Sequence, residues 1–308
     1  MRILTHTVSA AEDGQTAKQL LHSLWRISGS LLSRLKFRNA ITVNGAPVPV
    51  NHLLRTGDTL CADVSDLPGD NPHILPVDYP LSILYEDEDL LLLDKPAGIA
   101  IHPAALTEET ATIAGAVAHY LQGSSFHAVN RLDRGTTGVM AAAKTGFAHA
   151  RCMTLLHTDG FQRDYRAVCD GIPPQREGDI DLPLGRAEGS LLKRCADPNG
   201  QSAHTHYEVL AASHGRALLR LTPTTGRTHQ LRVHMAAIGC PLTGDWLYGT
   251  EDRALIARPA LHSYHLRMVH PVTGGIIDVT APLPADMLAL LDWRLVPAKK
   301  TGSGQPPQ

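Results

Sequence analysis

The chain has 308 residues, 43% of them apolar and 19% charged, with a formal charge of −2 at pH 7; that is enough for one large domain plus a small one, or for two ordinary domains. No run of eighteen apolar residues exists and the opening MRILTHTVSAAEDGQ has no apolar core, so neither a membrane span nor a secretory signal is expected and the cytoplasm is the expected address. Five scattered cysteines, none in a C-x-x-C pair, argue against a disulfide framework and a zinc knuckle.

The pI near 6.8 lacks the basic signature of many nucleic-acid binders, but the charge is unevenly spread. Between Gly14 and Gly57 there is no Asp or Glu, while Lys18, Arg26, Arg34, Lys36, Arg38 and Arg55 are all cationic. A basic first part on a mildly acidic body suggests a polyanionic partner for that part, although a solvated charged face gives the same pattern.

In TAKQLLHSLWR, Leu20, Leu21, Leu24 and Trp25 make an apolar helical stripe. A second helix is expected over LLSRLKFR, with Ser30 as its cap, Leu31, Leu32 and Leu35 inward and Arg34 and Arg38 outward. AITVNGAPVPV predicts a small hairpin turning at Asn44-Gly45. Together with LLRTGDTL, this segment resembles an S4-like RNA-binding domain, assigned to residues 1–66. The Pro-, Asp- and Gly-rich stretch that follows reads as a linker over 67–80.

From Leu81 the texture becomes that of short strands. Apolar runs flank the acidic turn in SILYEDEDLLLLDKP, helices are predicted at TIAGAVAHYLQG and TGFAHARCMTLLHT, and strands at DYRAVCDGI, HTHYEVLAAS, RALLRLTP and GGIIDVTAPL. This is an α+β pattern with a mostly antiparallel sheet. GRAEGSLLKRCADPNGQSA reads as a long loop, and 296–308 as a disordered tail.

VNRLDRGTTGVM places Asp133 between Arg131 and Arg134, ahead of small polar residues that permit close approach. A nucleotide-binding P-loop is not indicated, because Ala143 stands where its second glycine belongs, and no G-x-S-x-G elbow is present. His204 and His206 share one side of a strand without an evident carboxylate partner, and His229 and His234 are five apart; all read as strand or loop histidines, not metal ligands. A guanidinium near Asp133 would favour its ionised form, suited to a nucleophile or electrostatic stabiliser. A structural Arg–Asp pair fits the same spacing.

The ordered array AVNRLDRGTTGVMAAAKT, FQRDYRAVCDG, TGRTHQLRVHMAAIGCPLTGDWLYG and LHSYHLRMVHP resembles the RluA-like family of RNA pseudouridine synthases, and the preceding S4-like module is an arrangement many members share. The resemblance implies a catalytic domain over 81–295. It also implies cofactor- and metal-free isomerisation of uridines in ribosomal or transfer RNA. A monomer is expected separately, since one enzyme docks on one large RNA. Asp133 falls on the family's catalytic aspartate, Tyr165 on its active-site tyrosine, and Arg232 on the arginine that pairs with the aspartate. Lys95, Arg131, Arg134 and Arg227 are expected to contact flanking phosphates or fill the space of a flipped-out nucleotide, and Arg26, Arg34, Lys36 and Arg38 to bind RNA in the first module. The chain departs from the family at Asn130, usually histidine, at Gly135-Thr136-Thr137, often Asp-Thr-Ser, and at Arg163, commonly lysine. A non-catalytic RNA-binding protein that keeps the fold is the alternative. A retaining glycosidase would need a second carboxylate about 5 Å from the first, and the TGRTHQLRVHMAAIGCPLTG stretch holds none.

Overall fold

The computed structural model describes residues 1–66, 74–103, 111–122 and 126–291. Residues 67–73 of the expected linker and the whole expected tail, 296–308, lie outside the described residues. Among the described residues no helix is long and apolar enough to cross a membrane.

The amino-terminal module contains β1 (Ile3–Thr7), α1 (Ala17–Trp25), α2 (Gly29–Phe37), β2 (Ile41–Val43), β3 (Ala46–Pro47) and β4 (Thr59–Asp63). Its strands form one antiparallel sheet in the order β1-β4-β2-β3. Thr16 and Gln19 form a reciprocal capping box at the start of α1. The cap of α2 is Ser28, not Ser30: the chain is still extended at Ser28, whose Oγ accepts the Leu31 N–H at 3.2 Å, so Ser30 already lies in the first turn. Asn44 and Gly45 both take positive φ, 52° and 82°, as a two-residue turn between β2 and β3 requires. Leu20, Leu21, Leu35, Ile41 and Leu60 fill a separate core under the helices.

The body comprises β5 (Ile83–Glu86), β6 (Leu90–Lys95), α3 (Ile113–Tyr120), β7 (His127–Ala128), β8 (Thr137–Ala143), α4 (Gly146–Leu155), β9 (Phe161–Asp170), β10 (Glu177–Asp181), β11 (Leu184–Arg186), β12 (Arg194–Ala196), β13 (His204–Ser213), β14 (Arg216–Pro223), α5 (Gln230–Ala237), β15 (Leu261–Val269), β16 (Ile276–Thr280) and α6 (Ala285–Leu290). One ten-stranded sheet runs β10-β13-β14-β9-β15-β8-β6-β5, with β16 on β15 and β7 on β8. Every pairing is antiparallel except β15 with β8. Both faces of its centre are covered, which explains the unbroken leucines of β6. Leu91 and Leu93 pack with Met140 and Tyr165, whereas Leu90 and Leu92 pack on the other side with Val139 and Phe161.

Three local expectations are corrected. Leu184–Arg186 and Arg194–Ala196 pair as a hairpin inside the stretch read as a long loop. Residues 230–237 are helical, so His229 caps a helix and His234 lies on it; the stretch was missed because its apolar residues are diluted by Gln, Arg and His. His204 and His206 do meet carboxylates: β10 brings Asp179 to 3.2 Å from His204 Nε2 and 3.0 Å from His206 Nδ1.

The module is docked on the body. Arg2 forks onto Asp89 with two 2.8 Å contacts and reaches Glu88 at 2.6 Å. Phe147 of α4 is buried in the module's core, and Asp66 accepts the Gly146 N–H at 3.0 Å and meets His127 at 2.6 Å.

At the sheet's centre, Ser263 of β15 lies opposite Gly138 on one side and Tyr165 on the other. A Cβ on Gly138 would stand 2.1 Å from the Ser263 carbonyl oxygen, at a φ of +101°. Gly138→Ala should therefore destabilise the fold by about 3 kcal/mol, combining overpacking and backbone strain; chemical denaturation checks this.

Candidate active site

Asp133 stands in the turn that feeds β8, closed by the Thr136 N–H donating to the Asp133 carbonyl at 3.0 Å. A turn this tight leaves carbonyls pointing away from the chain, and two buried cations collect them. Lys95, at the end of β6 and 0% exposed, donates to the carbonyls of Pro96, Arg134 and Thr136 at 2.8, 3.1 and 2.9 Å. Arg258 donates to the Gly135 carbonyl at 3.2 Å while forking onto Asp286. Arg134 and Gly98 exchange two further bonds, Arg134 Nε to the Gly98 carbonyl at 2.7 Å and Gly98 N–H to the Arg134 carbonyl at 2.9 Å. The expectation that Lys95 touches phosphate is thus corrected: its ammonium group is enclosed and fixes the backbone around Asp133. Burial lowers its pKa to about 8, against the pull of the Asp133 charge.

Asn130 replaces the usual histidine and accepts the Ala141 N–H at 2.8 Å, tying the start of the turn to β8. On the other flank, Thr137 Oγ1 lies 2.8 Å from His262 Nδ1.

The second half of the site comes from α5. Gln230 gathers the preceding loop by accepting from Thr225 Oγ1 at 2.8 Å and the Arg227 N–H at 3.0 Å, while its amide donates to the His204 carbonyl at 2.9 Å. This delivers Arg232 to the site. Its Nε and Nη2 fork onto fully buried Asp245, both at 2.7 Å, and its Nη1 extends to Asp133 Oδ2 at 3.4 Å. Asp245 also accepts the Leu247 and Tyr248 N–H groups. The Tyr248 ring lies 5.0 Å from the Arg232 guanidinium carbon.

His229 takes a left-handed φ of 58° and points Nε2 to 3.9 Å from Asp133 Oδ2. Burial and Arg232 hold its pKa below the ordinary range although Asp133 opposes them. Its Nδ1 is 2.8 Å from Tyr248 Oη, which accepts the Arg194 N–H. In the tautomer where Tyr248 donates its own proton to Nδ1, the neutral ring would carry its hydrogen on Nε2, facing Asp133.

Asp133, His229, Gln230 and Arg232 line a cavity of about 610 Å³ between the turn, β9, α4 and the start of α5. Asp133 is its one acidic lining residue among the described residues, with its side chain 30% exposed. Tyr165 points into it from β9, and a register shift in the β9–β15 pairing falls beside it, between Ser263 and His265. Burial pushes the Tyr165 hydroxyl above the ordinary phenol range, with Arg163 and Ser263 opposing. Arg131 is exposed on the lining; Arg227 lies there half-buried, its Nε donating to the Ser202 carbonyl at 3.0 Å.

Arg26, Arg34 and Lys36 are exposed on the amino-terminal module. Arg38 is turned back, donating to the Ser65 carbonyl at 2.9 Å with Asp63 at 3.9 Å. Sequence reasoning missed Asp245, Tyr248 and Arg258 as parts of the site, and read His229 only as a histidine of the dense basic stretch; Asp245 follows that stretch, but nothing in its spacing signals that it folds back onto Arg232.

Residues 89–237 match the RNA pseudouridylate synthase family and residues 4–60 the RluD ribosomal pseudouridine synthase N-terminal domain. The chain is 38% identical over 269 residues to an uncharacterized RNA pseudouridine synthase, YjbO, of Bacillus subtilis, covering 86% of this chain and 94% of that one. It is 34% identical over 301 residues to the ribosomal large subunit pseudouridine synthase D of Zymomonas mobilis, covering 88% and 94%. Among solved structures, human RNA pseudouridylate synthase domain containing 1 superposes with a TM-score of 0.55 at 27% identity over 67% of this chain and 84% of that one. With a cavity carboxylate held against a buried arginine and family matches along both parts of the chain, the chain belongs to the RluA-like family and is an RNA pseudouridine synthase.

Proposed function

We propose that Asp133 carries the isomerisation and that its target is a uridine of large-subunit ribosomal RNA. The target follows the relatives named ribosomal large subunit pseudouridine synthase D. The role of Asp133 rests on one observation: it is the cavity's one acidic lining residue among the described residues, within reach of Arg232. Asp245, the nearby alternative, has both oxygens on the Arg232 fork and does not line the cavity. Among the described residues the cavity therefore presents no second carboxylate of the kind a glycosidase's opposed pair requires.

The ionised Asp133 meets C1′ as the N1–C1′ bond breaks and the bonding pair leaves with the uracil. It either adds to C1′ or removes the C2′ proton to give a glycal. The detached base turns within the cavity and C5 bonds to C1′; on the first route this expels the Asp133 carboxylate by breaking its C1′–O bond, and on the second Asp133 returns the proton to C2′. The C5 proton is then lost to restore the ring; Tyr165 offers a flat wall for the base and a hydroxyl on the cavity side. A stacked uridine hides C1′, so the nucleotide must flip out, with Arg131 and Arg227 at the cavity beside the backbone. Arg26, Arg34 and Lys36 extend the contact to neighbouring RNA. On this reading the enzyme works in the cytoplasm as a monomer on its RNA.

Asp133→Ala should lower pseudouridine formation by ~10⁴-fold or more while RNA affinity stays within a few-fold; single-turnover assays beside binding titrations check this. Arg232→Lys keeps the charge but loses the fork that grips Asp245 and reaches Asp133, so a rate loss of ~10²-fold is expected in the same assay. Lys95 bears on the alkaline limb. Its folded pKa of about 8 lies below its unfolded value, so raising the pH through 8 leaves a neutral amine with two donors for three carbonyls. The wild-type rate should fall above pH 8, and Lys95→Met should be slow with that limb flattened, as a pH–rate profile reads.

A further inference from the structure

We infer that Phe37 is a stacking platform for an unpaired nucleotide of the RNA, beside the cations of α2. The inference rests on the RNA-binding role proposed above for the amino-terminal module. Phe37 is the last residue of α2 and 91% exposed. Leu35, two positions earlier, is fully buried in the module's core. Two residues turn an α-helix by about 200°, so anchoring Leu35 inward directs Phe37 outward. The helix end keeps it there. Asn39 takes a left-handed φ of 52°, the Asn39 N–H donates to the Lys36 carbonyl at 3.2 Å, and the Ala40 N–H to the Leu35 carbonyl at 2.9 Å. This closure carries the chain away into β2 and leaves the ring uncovered.

Single exposed apolar side chains are ordinary; the surroundings set this one apart. Arg34 lies three residues before Phe37, one turn back on the same helix face, and Lys36 precedes it directly; both are exposed. Arg38 is occupied by Ser65 and Asp63. No acid occurs from Gly14 to Gly57 to repel an anion. An uncovered ring beside exposed cations, on a helix and flanking segment without acids, matches a ligand that alternates flat apolar faces with negative charges, which is single-stranded RNA. A duplex keeps its bases stacked inside and offers that ring only backbone.

The test uses the full chain with two probes, a twelve-nucleotide oligouridine and an RNA duplex of the same length, read by fluorescence anisotropy across a salt series. Phe37→Ala should weaken oligouridine binding about tenfold without changing its salt slope, leave duplex binding unaltered, and be rescued by Phe37→Trp but not by Phe37→Leu. Arg34→Ala should instead reduce the salt slope, by about 0.7 for one lost single-strand phosphate contact. Wild-type oligouridine affinity in Phe37→Ala, equal losses on both probes, or full rescue by leucine would each overturn the platform. A wild-type chain that binds neither probe would remove the RNA role of the module itself, and the platform with it.

Discussion

The site depends on how one guanidinium is shared. Arg232 is buried and would be costly there alone; Asp245, fully buried, takes its Nε and Nη2 and leaves Nη1 for Asp133. Removing one partner from such a pair leaves an uncompensated charge and costs roughly 3–5 kcal/mol. The planar fork also fixes direction: with two nitrogens held at 2.7 Å, the third has little freedom in where it points. Stability and the placement of charge opposite Asp133 therefore share one contact.

The turn that carries Asp133 is held by the complementary device. Carbonyls freed by its tightness meet Lys95 and Arg258, two cations enclosed within the protein. Positive charge lies behind the turn and beside it, while the cavity side of Asp133 stays open. Gly138 continues the same logic into the sheet, since the close approach of β8 to β15 fixes where the turn ends and brings Ser263 between Gly138 and Tyr165.

Much of this was legible in the residues. The hairpin at Asn44-Gly45, the strands His204–Ser213 and Arg216–Pro223, and helices α1, α3 and α4 follow from periodicity and turn chemistry. Asp133 stood out because it is isolated among arginines and small residues. What stayed hidden is what depends on distance along the chain. Arg232 and Asp133 are 99 residues apart, and only the fold shows that Asp245 rather than Asp133 holds the fork. Lys95 looked like a phosphate contact because a turn lysine is usually exposed; the three carbonyls that enclose it come from the turn after Asp133 and from its own neighbour. Helix α5 escaped a reading based on apolar stripes because its polar side chains, Gln230, Arg232 and His234, are buried and bonded rather than solvated.

The most direct test of this dependence is the single-turnover rate of pseudouridine formation by Asp245→Asn, measured beside its RNA dissociation constant and thermal stability. The amide keeps the shape but turns a donor toward the Arg232 fork, so the rate should fall about 100-fold with RNA affinity unchanged. A folded Asp245→Asn enzyme that works at the wild-type rate would contradict the account.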